Sequence, residues 1–305
     1  MMDLTILREH LPDMTDITAV EPIRKGFSHD GKFVLRGRDG RPAYVLRTAP
    51  LAEMERKRGE FEIVRKVHDA GVRTSAPVQF GTMESQDMVY MILGYVEGDD
   101  ASEMLPGLTS DEQYRVGLEA GGELRLMHRL EAPAMRENWF QRRLAKHKRQ
   151  WDQYVRCEVR LPEEGAVLAF IETHAHLMEG RPDRFQHDDF HPGNLLVRGG
   201  AYAGVIDFNR YDWGDPYHDF LKIAYFARDV SIPFAIGQVE GYFDGPPPEL
   251  FWKLYALYTA MIVPPTITWT QQVVPEQLDS MLERIRVVLD DHRGFQSAVP
   301  AWYKP

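Results

Sequence analysis

Two short motifs in the second half of the chain constrain its fold more than any other feature. The first is the run HDDFHPGN at residues 187–194, with the spacing H-x-D-x4-N, and the second is the run VIDF at residues 205–208. Apolar stretches at residues 195–198 and 204–207 predict two short strands, and a glycine pair predicts the turn that joins them. A tight loop followed by this hairpin would bring polar side chains of both motifs close together.

Three of those side chains are of the types that phosphoryl transfer requires. Transfer from a nucleotide to a hydroxyl group needs one carboxylate that accepts or orients the hydroxyl proton. It also needs oxygen ligands that hold Mg²⁺ on the β- and γ-phosphates. Asp189, Asn194 and Asp207 supply two carboxylates and an amide oxygen. The spacing therefore supports a phosphotransfer site.

A hydrolase metal site is the competing interpretation of the same run. Transition metals bind imidazole and carboxylate groups. The run offers four of them, at His187, Asp188, Asp189 and His191. This interpretation leaves Asn194 and the VIDF motif without a role, so phosphoryl transfer is favoured.

Composition and charge exclude several other classes of protein. At 305 residues, with 44% hydrophobic and 27% charged residues, the chain has the composition of a globular protein of about two domains. Its net charge of −10 argues against a general nucleic-acid binder, which needs a basic face, and suits a cationic small molecule. The single cysteine, Cys157, excludes an internal disulfide.

Neither a secretory nor a membrane-spanning segment is expected. The first residues, MMDLTILREH, lack the basic and apolar regions of a signal peptide. The apolar stretch at residues 254–263 is too short to span a bilayer, and Pro264-Pro265 should end it. We therefore expect a cytoplasmic protein.

Residue patterns divide the chain into a strand-rich part and a helical part. Short β-branched and aromatic stretches predict strands at residues 17–25, 32–36, 43–47, 78–82 and 88–93. Helices are predicted over residues 51–70 and, from a capping-box pattern, over residues 110–130, with helical patterns continuing to the end outside the hairpin. The expected fold is α+β, with a small β-rich N-terminal lobe over residues 1–94 and a larger, mainly helical C-terminal lobe over residues 95–305.

The motif region resembles that of a known superfamily. The segment from HDDFHPGN to VIDFNRYDWGDPYHDF resembles the catalytic segment of the aminoglycoside phosphotransferase and choline kinase-like superfamily, which has a protein-kinase-like fold. The superfamily pattern is H-G-D-x4-N, then I-D-F/W, then G-D-P-x-x-D, and the run GDPYHD matches its last part. The resemblance implies that Asp189 is the catalytic base and that Asn194 and Asp207 bind Mg²⁺. It also implies that His187 and Asp219 support the catalytic loop.

The resemblance extends into the N-terminal part. The run KGFSHDGKF at residues 25–33 lies where the superfamily places a nucleotide-covering loop, so its backbone and Ser28 are expected to contact phosphates. Arg47, in the stretch YVLR, matches the cation that binds the α- and β-phosphates. Glu60 matches the helix carboxylate that pairs with this cation, and Glu62 is the competing choice.

Two further positions bear on the resemblance. Gly94, Tyr95 and Val96 match the hinge whose backbone binds adenine. Asp188 departs from the pattern, because it replaces the usual glycine before the base. Two outcomes are open for this second carboxylate: it raises the pKa of Asp189, or it points away from it.

Taken together, the resemblance implies a kinase that uses Mg²⁺ and ATP, or GTP, to phosphorylate a hydroxyl group of a small acceptor. Asp212, Asp215 and Glu240 would suit an amine-bearing acceptor, so an aminoglycoside-type antibiotic is the preferred substrate. The alternatives are a kinase of choline, a macrolide, an amino sugar or an amino acid, and a nucleotide-binding pseudokinase that acts as a partner protein. No nucleic-acid or membrane partner is expected, and the oligomeric state is left open.

Overall fold

Contacts along the chain separate it into two units, the first of which includes a short segment from the second half. The computed structural model describes residues 4–11, 13–25, 30–134 and 137–304. Met1–Gly98 and Ala203–Asn209 form the first unit, and Asp99–Tyr202 and Arg210–Pro305 form the second. Gly98 ends the first stretch with φ 152°, a backbone conformation that residues with a side chain rarely adopt.

An antiparallel five-stranded sheet forms most of the first unit. Its strands are β1 Ala19–Pro22, β2 Gly31–Arg36, β3 Pro42–Pro50, β4 Pro77–Met83 and β5 Met88–Gly94. They lie in the order β1-β2-β3-β5-β4. The register pairs Lys32 of β2 with Arg47 of β3. Side chains at directly paired positions lie on the same face of a sheet, so these two cations are neighbours.

The two faces of this sheet have different partners. On one face, Leu35, Leu46 and Ile92 form an apolar core with Leu7 of helix α1, Leu4–His10. Successive side chains of a strand point to opposite faces, so Arg47 points away from this core. Helix α2, Met54–Asp69, follows β3 and buries part of its polar surface, as described below.

The second unit is mainly helical. Its helices are α3 Ala101–Met104, α4 Ser110–Met127, α5 Trp139–Tyr154, α6 Glu164–His174, α7 Arg228–Val230, α8 Ile232–Phe243, α9 Glu249–Val273 and α10 Leu278–Asp291. Its short strands are β6 Asp99–Asp100, β7 Arg184–Gln186, β8 Leu195–Arg198, β9 Ala201–Val205, which leads back into the first unit, and β10 Asp212–Gly214. The strands form two small sheets, β10-β7 and β6-β8-β9.

Glycines allow α4 and α8 to pack with their backbones in contact. A Cβ atom at Gly117 would lie 2.2 Å from the carbonyl oxygen of Phe234, and one at Gly121 would lie 2.2 Å from that of Gln238. No side chain fits at such distances, so the sequence must keep glycine there. This packing fixes α4, and His128, which follows its last residue, supports the candidate site.

The expected α+β architecture is confirmed, with local corrections. The second strand of the hairpin is β9, not residues 204–207, because the turn at Gly199 and Gly200 (φ 57° and 80°) lets pairing begin at Ala201. Helix α4 ends at Met127 rather than at residue 130. Strands β7 and β10 were not predicted, because each spans three residues within a helical part of the sequence.

Helix α9 continues through Pro264 and Pro265, contrary to the expectation that they end it. Interior prolines remove backbone donors and cost about 3 kcal/mol in an isolated helix. Most side chains of α9 are buried, so tertiary packing overrides this local penalty. The Thr266 hydroxyl also donates to the backbone of the helix, at the carbonyl oxygen of Ile262, 2.8 Å away. Neither α9 nor any other helix of the described residues is long and apolar enough to cross a bilayer.

Candidate active site

In the first unit, Arg47 lies buried among three carboxylates. Its guanidinium is 2.8 Å from Glu60, 2.6 Å from Asp30 and 3.1 Å from Asp207, and its side chain is 7% exposed. Glu60 comes from α2, Asp30 directly precedes β2, and Asp207 follows β9. We call Arg47, Glu60, Asp30 and Asp207, with the lysines Lys57 and Lys32, the arginine cluster.

The two lysines of the arginine cluster were not predicted from the sequence. Lys57 is buried and contacts Asp30 as well as Glu60, the latter at 2.9 Å. Lys32 Nζ lies 3.7 Å from Asp207. A signal for Lys57 was present, because it lies three residues before Glu60 and so shares its helix face.

Electrostatics keep Arg47 and Asp30 of this cluster ionised. Burial acts to lower the pKa of Arg47, but Glu60, Asp207 and Asp30 together raise it above its usual value. Burial acts to raise the pKa of Asp30, but Lys57 and Arg47 lower it below its usual value. Both of these charges are therefore held by charges of opposite sign, which a buried ion needs.

The partner of Arg47 on α2 is Glu60 and not Glu62. Glu60 is 1% exposed and is turned toward the sheet. Glu62 lies on another face of the helix, where it pairs with Arg65 near solvent. The choice that the sequence left open is settled by the helical period, since residues two apart do not share a face.

Four other residues of the first unit were predicted to contact the nucleotide. Ser28 lies outside the described residues. The N–H of Gly94 donates to Ala76 at 2.7 Å, and the N–H of Tyr95 donates to Ala43 at 3.0 Å. Both donors therefore serve the protein's own backbone, and adenine would compete for them. A contact with adenine at Val96 stays a prediction.

In the second unit, the H-x-D-x4-N run follows β7 as a loop that presents Asp189. Lys222 Nζ is 2.9 Å from Oδ1 of this carboxylate, and His191 Nε2 is 3.6 Å from the same oxygen. Asn194 Nδ2 donates to Oδ2 at 3.1 Å and to the carbonyl oxygen of Asp189 at 2.9 Å. The structure thus brings together the predicted base and the amide five residues later.

A buried carboxylate holds this loop in place. Asp219 accepts hydrogen bonds from the N–H groups of His187 at 2.8 Å and of Asp188 at 2.7 Å. Its Oδ2 also lies 3.0 Å from Nε2 of His128, whose other ring nitrogen is 3.0 Å from the hydroxyl of Tyr242. His187 is fully buried, and its ring packs edge-on against Phe190. These contacts tie the loop to the end of α4 and to α8.

Asp188 points away from the predicted base. Its Oδ1 lies 3.2 Å from Nδ1 of His218, and the residue adopts φ 58°. Burial acts to raise the pKa of Asp188, but the hydrogen bond and charge of His218, with Lys222 and Lys146, lower it to about 2. Of the two open outcomes, the geometry corresponds to the second, in which Asp188 points away from Asp189.

The pKa of Asp189 is held well below its usual range. Burial acts to raise this pKa, but the hydrogen bond of His191 and the charge of Lys222 outweigh it. Asp189 is accordingly a carboxylate at neutral pH. Its side chain is 22% exposed, so it remains accessible to a substrate hydroxyl.

The four groups of the hydrolase interpretation do not converge on one point. His187 packs on Phe190, Asp188 binds His218, and the ring of His191 stacks on Phe226. Among the described residues, no three His, Cys, Asp or Glu side chains form a metal-binding group.

Oxygen ligands suited to Mg²⁺ are nevertheless present in both units. The amide nitrogen of Asn194 donates to Asp189, an orientation that leaves the amide oxygen as the ligand atom. Asp207, at φ 68°, presents a carboxylate 25% exposed beside Arg47. Amide and carboxylate oxygens are the donors that Mg²⁺ prefers, so each of these residues is of a type that suits such an ion.

The acids that suggested an amine-bearing acceptor have protein partners. Asp215 is fully buried, binds Arg181 at 2.8 Å and accepts the hydroxyl of Tyr258. Glu240 accepts the hydroxyl of Tyr114. Asp212 lies 3.8 Å from Arg142. Asp215 and Glu240 therefore serve the fold.

Comparison with known proteins identifies the family. The sequence matches the phosphotransferase enzyme family over residues 19–252. The chain belongs to this family. It is thus a phosphotransferase, and the matched region includes both the Arg47 strand and the Asp189 loop. A search of the curated proteins gave no match.

Solved structures share the protein-kinase-like fold of this phosphotransferase. ADP-bound aminoglycoside phosphotransferase APH(2″)-Ib has a TM-score of 0.67 and 18% identity, covering 93% of this chain and 97% of that one. The streptomycin–ATP complex of APH(2″)-IIa has a TM-score of 0.65 and 20% identity, covering 94% and 97%. A thermostable mutant of aminoglycoside phosphotransferase APH(4)-Ia, with AMP-PNP and hygromycin B, has a TM-score of 0.69 and 17% identity, covering 96% and 99%.

Proposed function

We propose that this phosphotransferase moves the γ-phosphoryl group of ATP, or of GTP, to a hydroxyl group of a small acceptor. The observation that carries the proposal is the ionised carboxylate of Asp189, held between Lys222 and Asn194 and partly exposed. A carboxylate so placed is suited to orient a hydroxyl and to take its proton. Likeness to structures that contain ADP, ATP, AMP-PNP or GDP supports a nucleotide as the co-substrate.

In the proposed reaction, the acceptor oxygen forms a bond to the γ-phosphorus while the bond from that phosphorus to the β–γ bridging oxygen breaks. Asp189 receives the hydroxyl proton, and the nucleoside diphosphate leaves. Arg47 binds phosphate oxygens, and Glu60 keeps its guanidinium in place. Asn194 and Asp207 would hold Mg²⁺, which supplies positive charge for the β- and γ-phosphates.

The other nucleotide contacts follow the same proposal. Ser28 would bind phosphate, and the hinge from Gly94 through Tyr95 to Val96 would bind the base. Because the N–H groups of Gly94 and Tyr95 donate within the protein, the base contacts fall to the other backbone groups of the hinge. A cytoplasmic location is part of the proposal, since that compartment supplies the nucleotide.

Aminoglycosides are the first acceptors to test. The similar structures include complexes with streptomycin, gentamicin and hygromycin B. The carboxylates Asp215 and Glu240 do not add support, because they bind protein groups. Choline, macrolides, amino sugars and amino acids are therefore tested beside aminoglycosides.

The test is an ADP-release assay with Mg-ATP, and then Mg-GTP, over this panel of acceptors. We expect one class to stimulate turnover in the wild type and not in Asp189→Ala. Mass spectrometry of the acceptor should show one added phosphoryl group. Nucleotide binding without turnover on any acceptor would favour the pseudokinase alternative, and lack of nucleotide binding would contradict the proposed function.

A further inference from the structure

We infer that Lys222 is a positioning residue for phosphoryl transfer: its ammonium group fixes the carboxylate of Asp189 in the orientation that receives the acceptor hydroxyl. The inference rests on the proposed function and adds a residue that the H-x-D-x4-N motif does not contain. Lys222 binds Oδ1 at 2.9 Å, and Asn194 binds Oδ2 at 3.1 Å. Oδ1 also has His191 Nε2 at 3.6 Å. Each carboxylate oxygen can accept two hydrogen bonds, so Oδ2 keeps capacity for a substrate hydroxyl.

The segment that carries Lys222 also holds the backbone of the catalytic loop. Three residues earlier, Asp219 accepts the N–H groups of His187 and Asp188. The segment thus contacts the loop twice, at its backbone and at its functional carboxylate. A π-helical turn, Ile223–Ala227, begins directly after Lys222. Such turns are rare and are frequently found at functional sites.

An aromatic ring in that turn supports the groups around the base. Lys222 Nζ lies 5.6 Å from the ring centroid of Phe226, within cation–π range. The imidazole of His191 stacks on the same ring, with centroids 4.6 Å apart and planes at 25°. The Lys222 side chain is 13% exposed, so both packing and the ion pair restrict its orientation. These contacts set the position of the ammonium group and, through it, that of the Asp189 carboxylate.

A purely structural ion pair would behave differently from a positioning residue. Loss of a structural pair lowers the unfolding temperature and leaves the turnover of the folded protein unchanged. Loss of a positioning group lowers kcat in the folded protein, because the base no longer meets the hydroxyl in a productive geometry. Binding of the nucleotide is not affected by such a loss.

The experiment compares Lys222→Met and Lys222→Arg with Lys253→Met, which removes a lysine from an exposed ion pair with Glu249 in the same unit. The acceptor is whichever panel member the wild type phosphorylates. For Lys222→Met we expect kcat to fall about 100-fold and KM for ATP to stay within about twofold. Lys222→Arg should recover kcat to within about tenfold of wild type, and Lys253→Met should match wild type.

Failure of the inference and failure of the proposed function give different results. A folded Lys222→Met protein with kcat within about threefold of wild type would overturn the inference and leave the proposed function intact. If that variant does not fold, Lys222→Gln, which keeps a donor but no charge, is measured against the same expectation. A wild type that binds nucleotide but phosphorylates no panel member would favour the pseudokinase alternative, and the inference would fall with the proposed function.

Discussion

The two units hold charge in opposite ways. In the first, a cation lies among carboxylates: Arg47 contacts Glu60, Asp30 and Asp207. In the second, a carboxylate lies among donors: Asp189 contacts Lys222 and Asn194. Burial acts against both charges, and in both cases the partners outweigh it.

The difference in exposure shows what each charge is suited to do. The side chain of Arg47 is 7% exposed, and three anions surround it. That of Asp189 is 22% exposed, and its Oδ2 keeps hydrogen-bonding capacity beyond the bond from Asn194. A substitution in the arginine cluster should therefore lower both stability and activity. A substitution at Asp189 should lower activity and leave the fold nearly unchanged.

The largest effect is expected at the base. Asp189→Asn removes the proton acceptor without changing its size, so kcat should fall by about 10³-fold or more. Asp188→Asn alters the adjacent carboxylate, which binds His218 instead, and should cost less than about tenfold. Steady-state kinetics of both variants, with circular dichroism as a check of folding, test this contrast. Equal losses in the two variants would show that the neighbouring carboxylates share one role.

Arg47→Met should affect both function and stability. We expect KM for ATP to rise about tenfold or more, because the phosphates lose a cation. Glu60 and Asp30 would be left with fewer counter-charges, and a broken buried pair costs about 3–5 kcal/mol of unfolding free energy. Urea unfolding and ATP kinetics measure the two effects. A variant of wild-type stability would show that Lys57 alone can neutralise the cluster.

Two glutamates on α2 offer a matched pair. Glu60→Gln should lower the free energy of unfolding by about 2–3 kcal/mol, because Arg47 and Lys57 both lose a buried partner. Glu62→Gln alters an exposed pair with Arg65 and should cost less than about 1 kcal/mol. Chemical denaturation of the two variants side by side tests the difference. Similar losses would contradict the assignment of Glu60 as the partner of Arg47.

The smallest effect concerns the pH dependence of stability and a histidine close to a buried arginine. In the second unit, Arg143 is 2% exposed, and burial lowers its pKa. Burial, with the charge of Arg143, also lowers the pKa of His147 to about 4. Between pH 6.5 and 4 the unfolded chain binds a proton at His147 that the folded chain does not, so stability falls as pH falls through this window.

Acidification from pH 7 to 5.5 should therefore lower the free energy of unfolding by about 1 kcal/mol, because His147 takes up a proton in the unfolded chain. His147→Gln should remove this part of the pH dependence, whereas His68→Gln, at an exposed position on α2, should retain it. Unfolding free energies of the three proteins at both pH values provide the measurement. An unchanged pH dependence in His147→Gln would show that the pKa of His147 is the same in the folded and unfolded states.

The sequence was most informative where the functional residues are close to one another along the chain. The H-x-D-x4-N spacing places Asp189 and Asn194 in one loop, and a short turn is enough to bring them together. The resemblance to the superfamily, and not periodicity, offered Arg47 and gave Glu60 as its partner, with Glu62 as the competing choice. The α+β fold and the phosphotransferase family, inferred from these motifs, are both confirmed.

Partners distant in the chain were not predictable in this way. Lys222 lies 33 residues after Asp189, and no spacing rule connects the two. Lys32 looks like a surface lysine in sequence, and only the sheet register reveals it. For Lys57 the three-residue spacing from Glu60 was a signal, but the burial of that helix face is visible only in the structure. The return of residues 203–209 to the first unit, which brings Asp207 to Arg47, is likewise a property of the tertiary structure.

The central claim is that the arginine cluster serves the nucleotide and that Asp189 serves the acceptor. Calorimetric binding of Mg-ATP to wild type, Arg47→Met and Asp189→Asn tests it most directly. The account predicts that Arg47→Met weakens binding about tenfold or more, while Asp189→Asn changes it by less than about threefold and yet abolishes transfer. Binding that is lost in Asp189→Asn and retained in Arg47→Met would contradict it.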